Sequence, residues 1–163
     1  MDTNQDKKKQ SPFEDIATKK GYSPERLKSH RDNCKNVSHI LNAKGKKGNL
    51  LQLRVDLKKI KNKKQNEDWI WLEFKNGYGN PGWLHGDADF IIFERIDDFV
   101  VVNRKELVSW VGSCQKIRYD LPFVGLAKRA KYRIYRRPKT REEVSQVELK
   151  ELKKLKSFQI WKK

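Results

Sequence analysis

The chain has 163 residues, of which 38 are Lys or Arg and 21 are Asp or Glu, so its formal net charge is +17, with 36% hydrophobic residues. No apolar stretch approaches the ~18–20 residues of a membrane span, and residues 1–10 lack the apolar segment of a secretory signal. The two cysteines, Cys34 and Cys114, define no disulfide framework, and His30, His39 and His85 lack zinc-ligand spacing. These features predict one reduced, soluble, cytoplasmic domain with a folded middle and basic surroundings.

Residues 1–20, with the Lys7-Lys8-Lys9 run, read as a basic flexible tail ahead of a single domain over 21–163. Ser23-Pro24-Glu25 has the chemistry of a helix start: a capping hydroxyl, a proline fit for the first turn and an acid opposing the dipole. Leu27, Cys34, Val37, Ile40 and Leu41 share a helical face, which predicts an amphipathic helix over 24–43 with Gly45 as its stop. Residues 50–57 and 69–75 read as strands from their branched and aromatic content, as do the apolar runs 90–94 and 99–102. Between the second and third strands, Gly77, Gly79, Pro81 and Gly82 set an irregular loop. Residues 104–111 read as a helix, 131–137 as a basic aromatic strand ended by Pro138, and Leu149, Leu152 and Leu155 as a short closing helix.

If the strands 50–58 and 69–75 form an antiparallel hairpin about residues 64 and 65, Asp56 faces Glu73, and Lys75 shares their side of the sheet. Two opposed carboxylates repel unless a cation or proton neutralises them. Mg²⁺ suits such a pair, because it takes one or two carboxylates, waters and substrate phosphates, and a nearby lysine can steady charge growing on phosphate. The plain alternative is a half-exposed hairpin bearing ordinary ion pairs, and a one-residue slip would turn every side chain over.

Trp71-Leu72-Glu73-Phe74-Lys75, with Asp56 upstream, resembles the PD-(D/E)xK nuclease pattern of an acidic residue on one strand and (D/E)-x-K on its neighbour. The continuation from Gly79-Asn80-Pro81-Gly82 through Asp87-Ala88-Asp89-Phe90-Ile91 resembles the glycine-rich loop and following strand of phage and restriction-type members. The resemblance spans about residues 30–112 and leaves 126–163 as a basic C-terminal extension. It implies a single α+β (α/β) domain with a restriction-endonuclease-like mixed sheet of about 4–6 strands flanked by helices. It also implies Mg²⁺ (or Mn²⁺) dependent hydrolysis of phosphodiester bonds. By residue, it suggests Asp56 and Glu73 as metal ligands and Lys75 as the catalytic lysine. Asp56-Leu57-Lys58 is itself a D-x-K, so Lys58 is the alternative lysine; Val55 stands where the pattern has proline. An upstream helix carboxylate of the kind some members carry would be Glu25 or Asp32.

Charge adds weight to a nucleic-acid partner. Basic clusters at 44–47, 58–64, 128–137 and 150–163 give the electrostatic footprint of phosphate binding, with Lys46, Lys47, Lys61, Lys63, Lys64, Arg133, Arg136 and Arg137 as candidate contacts. His85 and Asp89 are candidate accessory residues, and Trp69, Trp71 and Trp83 can either stack on bases or pack the core. The expectation is therefore a metal-dependent endonuclease, DNA favoured over RNA, with oligomeric state open and a homodimer included. The alternatives are a non-catalytic nucleic-acid-binding or accessory protein, and a basic protein that masks an acidic partner.

Overall fold

A computed structural model describes residues 9–28, 35–64 and 66–163. It is a single α+β domain built on two sheets. The first helix, α1 (Pro12–Lys19), is followed by β1 (Ser23–Arg26), β2 (His39–Lys44), β3 (Leu50–Lys58) and β4 (Trp69–Lys75). A one-turn helix at Trp83–His85 leads to β5 (Phe90–Glu94), β6 (Asp98–Asn103) and α2 (Arg104–Ser113). The chain closes with β7 (Tyr135–Arg136), β8 (Glu143–Glu148), the single turn α3 (Leu149–Leu152) and β9 (Gln159–Lys162).

Six strands form a mixed sheet in the order β1-β2-β3-β5-β6-β9, and the other three form a second sheet in the order β4-β8-β7. β3 and β5 run parallel, with Asp56 opposite Ile91 and Lys58 opposite Phe93. Alternation along the strands gives the six-stranded sheet two apolar faces. One face carries Leu41, Val55, Ile92, Phe99, Val101 and Trp161, and α1 covers it with Phe13, Ile16 and Ala17. The other carries Ile91, Phe93, Val100 and Val102, covered by the second sheet through Ile70, Leu72 and Val147 and by α2 through Leu107 and Val111. Because paired residues share a face, Asp56 and Lys58 project to the side where the second sheet lies.

Four expectations are corrected. First, β3 and β4 are not a hairpin: β3 pairs with β2 and β5, whereas β4 pairs with β8. Burying Ile70 and Leu72 against Ile91 and Phe93 requires β4 to lie over the large sheet instead of beside β3.

Second, no single helix runs over 24–43, since 23–26 and 39–44 are paired strands; residues 29–34, with Asp32 and Cys34, lie outside the described residues. Third, the segment expected as tail contains α1. Ser11 accepts a hydrogen bond from Glu14 N–H while Glu14 accepts one from Ser11 N–H, a reciprocal cap with Pro12 at the first helical position. Ser23 has the same Ser-Pro beginning but Arg26 where the reciprocal acid should stand, and no helix forms there.

Fourth, the C-terminal third is integral to the fold. β8 is the central strand of the small sheet, and Val147, Leu149, Leu152 and Trp161 are buried. Within 131–137 only Tyr135–Arg136 is strand, because Tyr132 takes a left-handed φ of 54° that interrupts the extended chain.

Candidate active site

Lys58, at the end of β3, pairs with one of the two carboxylates that the sequence singles out and lies within the field of the other. Its Nζ stands 2.7 Å from Asp56 Oδ2 and 5.0 Å from the centre of the Trp83 ring. Asp56 is 6% exposed. Its Oδ2 is buried, and the Lys58 ammonium is the charged group that faces it. Burial pushes the Asp56 carboxyl above its usual range, and Lys58 and the field of His39 pull it partly back.

Glu73 reaches the same region from β4. Its Oε1 accepts the Trp83 backbone N–H at 3.2 Å. Burial pushes this carboxyl up too; the Trp83 hydrogen bond and Lys58 oppose the shift, while Glu142 and Asp56 add to it. Lys58 thus bears electrostatically on both acids.

The glycine-rich loop makes this contact by crossing β4 closely. Gly82 N–H donates to Phe74 C=O at 2.8 Å, and Pro81 bridges to Lys75. A Cβ at Gly82 would lie 2.4 Å from the Glu73 carbonyl oxygen and 2.8 Å from its Cγ, so only glycine lets the loop pass here. Arg104 then ties the loop to α2, donating to the carbonyls of Ala88 and Leu84 at 2.7 and 2.9 Å.

Beside Lys58 and Glu73 opens a cleft of about 370 Å³ between the ends of the two sheets. Its walls include Trp71, Trp83 and Tyr135 with Ile70, Leu72 and Val144, and its charged lining includes Lys59, Lys61, Arg137 and Glu142. Arg137 Nε pairs with Glu142 Oε2 at 3.1 Å.

Of the remaining sequence candidates, Lys61 lines the cleft and the others lie on other surfaces or in other contacts. Lys75 is half-exposed, with Nζ 3.6 Å from Glu143. His85 is exposed on its one-turn helix. Asp89 accepts the Arg54 backbone N–H at 2.8 Å and pairs with the Arg54 side chain, which makes it a brace between β3 and the start of β5. Lys61, Lys63 and Lys64 are exposed on the loop after β3, near the cleft end of that strand.

Lys46 and Lys47 occupy the β2–β3 turn at the other end of β3, roughly 27 Å away for a strand of this length. Arg133 donates to Pro122 C=O at 2.9 Å, and Arg136 holds Glu143 at 2.6 Å while lying 4.3 Å from the Phe123 ring centre. Glu25 lies on the edge strand β1, exposed.

Two groupings escaped the sequence. Glu142 enters the site through its pair with Arg137, for which the opposite charges flanking the Pro138 turn were the available signal. Under α1, the buried His39 places Nε2 3.2 Å from Glu14 Oε1 and Nδ1 2.8 Å from Ser38 Oγ. Arg26 donates to the same Glu14 oxygen at 2.6 Å. No short motif announces that cluster, since its members come from three separate elements.

Among the described residues no three His, Cys, Asp or Glu side chains form a preassembled metal cluster, and no helix is long and apolar enough to cross a membrane. Comparison with protein-family models, with curated proteins and with solved structures returns no match to this chain.

Proposed function

We propose that this protein is a metal-dependent nuclease whose centre is Asp56, Glu73 and Lys58. The observation that carries the proposal is the Asp56–Lys58 ion pair with Glu73, from the other sheet, in the electrostatic field of both, where Lys58 and Glu73 line a cleft with Lys59, Lys61 and Arg137. The donor set suits a hard divalent cation: Asp56 offers a buried carboxylate with Lys58 as its paired cation, and Glu73 is braced at one oxygen by Trp83 N–H. Two carboxylates are enough for Mg²⁺, which keeps several waters when protein-bound.

When bound, Mg²⁺ or Mn²⁺ would supply Lewis-acid stabilisation of charge on the scissile phosphate. Asp56 and Glu73 hold that cation. Their raised pKa values express the cost of keeping two buried charges without it. Lys58 supplies a donor beside the carboxylates, able to orient a water and to counter negative charge developing on phosphate oxygens. Its 2.7 Å pair with Asp56 favours it over Lys75, which is turned to Glu143. Lys59, Lys61 and Arg137 along the cleft hold the sugar-phosphate chain.

The test is incubation of supercoiled plasmid, a branched junction and single-stranded DNA with Mg²⁺, Mn²⁺ or EDTA, alongside Glu73→Ala and a gel shift. Metal-dependent cleavage lost in Glu73→Ala with binding retained is the expected result. Salt-sensitive binding without cleavage of any substrate supports a non-catalytic binding protein instead.

A further inference from the structure

The cleft beside Lys58 and Glu73 is more than a phosphate groove. Its volume of about 370 Å³ falls in the range of small-ligand pockets, ~300–1,000 Å³. Its walls are aromatic and aliphatic, whereas a duplex backbone offers only charged phosphates and sugars. Trp71 and Tyr135 come from neighbouring parts of the small sheet, each half-buried, with ring centres 6.5 Å apart at 52°. Both line the cleft, and Trp83 and Phe93 close it below as an edge-to-face pair 5.7 Å apart.

Charged groups join these walls from several elements: Lys58, Lys59 and Lys61 at and after the end of β3, Glu73 on β4, Glu94 on β5, and Arg137 with Glu142 around the β7–β8 turn. A planar apolar ligand with polar edges, attached to an anion, matches that distribution. Bases in an intact duplex stay stacked in the helix and cannot enter such a cavity, whereas an unpaired base stacks readily on aromatic side chains.

We propose that the cleft is a nucleobase pocket. An unpaired base of single-stranded DNA stacks on Trp71 and Tyr135, and the adjoining phosphates lie along Lys59, Lys61 and Arg137. The assignment rests on the nuclease proposal, because it brings the phosphate next to the held base up to Lys58 and Glu73. It narrows the substrate to single-stranded DNA, or to duplexes carrying unpaired nucleotides.

The test measures binding of the wild-type chain in EDTA by fluorescence anisotropy, so that no cleavage intervenes. The ligands are a 20-nucleotide oligo(dT), the same backbone with abasic sites throughout, a 20-base-pair duplex and a 20-nucleotide oligo(U). Oligo(dT) is expected to bind about 5- to 150-fold more tightly than the abasic strand, the worth of stacking one base. Trp71→Ala and Tyr135→Ala should each shrink that ratio while leaving duplex affinity unchanged, with far-UV circular dichroism confirming the fold. Equal binding of the abasic strand and oligo(dT) would overturn the pocket, since backbone charge would then suffice. Tighter binding of oligo(U) than of oligo(dT) would overturn the assignment to DNA. Plasmid cleavage without any base-dependent binding overturns the pocket and keeps the nuclease; base-dependent binding without cleavage under any metal does the reverse.

Discussion

Replacing Gly82 by alanine puts the close crossing of the loop over β4 to a direct test. The residue has φ −75° and ψ −176°, a conformation open to any amino acid, so the cost of the added methyl is steric alone. That Cβ would meet the Glu73 carbonyl oxygen at 2.4 Å and carbonyl carbon at 2.7 Å, so either the loop or β4 must move. Such overpacking costs about 1–3 kcal/mol, and the reduced freedom of the unfolded chain returns about 0.4–1 kcal/mol. The net loss of about 1–2 kcal/mol lowers Tm by about 2–8 °C in a chain of this length. Because the shift falls on Glu73, cleavage should drop by about 10²-fold, the usual consequence of a misplacement near 1 Å. Gly77→Ala is the control: an added Cβ there has nothing within 4 Å, and its φ lies outside the left-handed region. Thermal melts by circular dichroism with matched cleavage rates decide the matter. If the two variants melt alike and cleave alike, the loop does not pass β4 as described.

Three other outcomes follow from the same structure. Burial raises the Glu73 pKa, so the folded state holds that proton more tightly than the unfolded one, and stability falls as pH rises from the ordinary carboxylate range through the folded value. Glu73→Gln, which keeps the acceptor for Trp83 N–H, should therefore melt above wild type at pH 8 and level with it near pH 4; a lower Tm at pH 8 would contradict this. Asp98 behaves in the opposite sense. It is 1% exposed and its pKa is lowered, first by the hydrogen bonds from Arg95, so its contribution is present above pH 3.8 and lost as pH falls through the folded value. Asp98→Asn should cost about 3 kcal/mol at pH 7 in urea unfolding, with the gap closing in acid. For DNA binding, Lys61→Ala should lower the slope of log K against log salt by about 1, whereas Lys46→Ala, at the far end of β3, should leave it unchanged.

The strands β3 to β6 were legible because each is a short run rich in branched or apolar residues bounded by loop residues. Pairing was not legible. The loop between β3 and β4 has the symmetry of a hairpin, yet the parallel partner of Asp56 comes from residue 91, and only the tertiary contact of Ile70 and Leu72 with the large sheet explains the rearrangement. The two Ser-Pro starts show how fine the local signal is: Glu14 closes a reciprocal cap at the first, and Arg26 cannot at the second. Of the site, Asp56 and Glu73 stand out in the sequence for facing one another across a hairpin, and they approach one another across two sheets instead. That geometry pairs Lys58 with Asp56, within the field of Glu73, and turns Lys75 to Glu143, a distinction the spacing D-x-K and E-x-K does not make. Glu142 was missed because its place depends on a turn at Pro138 that brings it back to Arg137.

The most direct test of the proposed centre is cleavage by Asp56→Asn, Lys58→Met and Lys75→Met, measured side by side with wild type in Mg²⁺. Lys58→Met and Asp56→Asn should lose cleavage while retaining DNA binding, and Lys75→Met should cleave at close to the wild-type rate. Full activity in Lys58→Met, with loss in Lys75→Met, would contradict the account and move the catalytic lysine to β4.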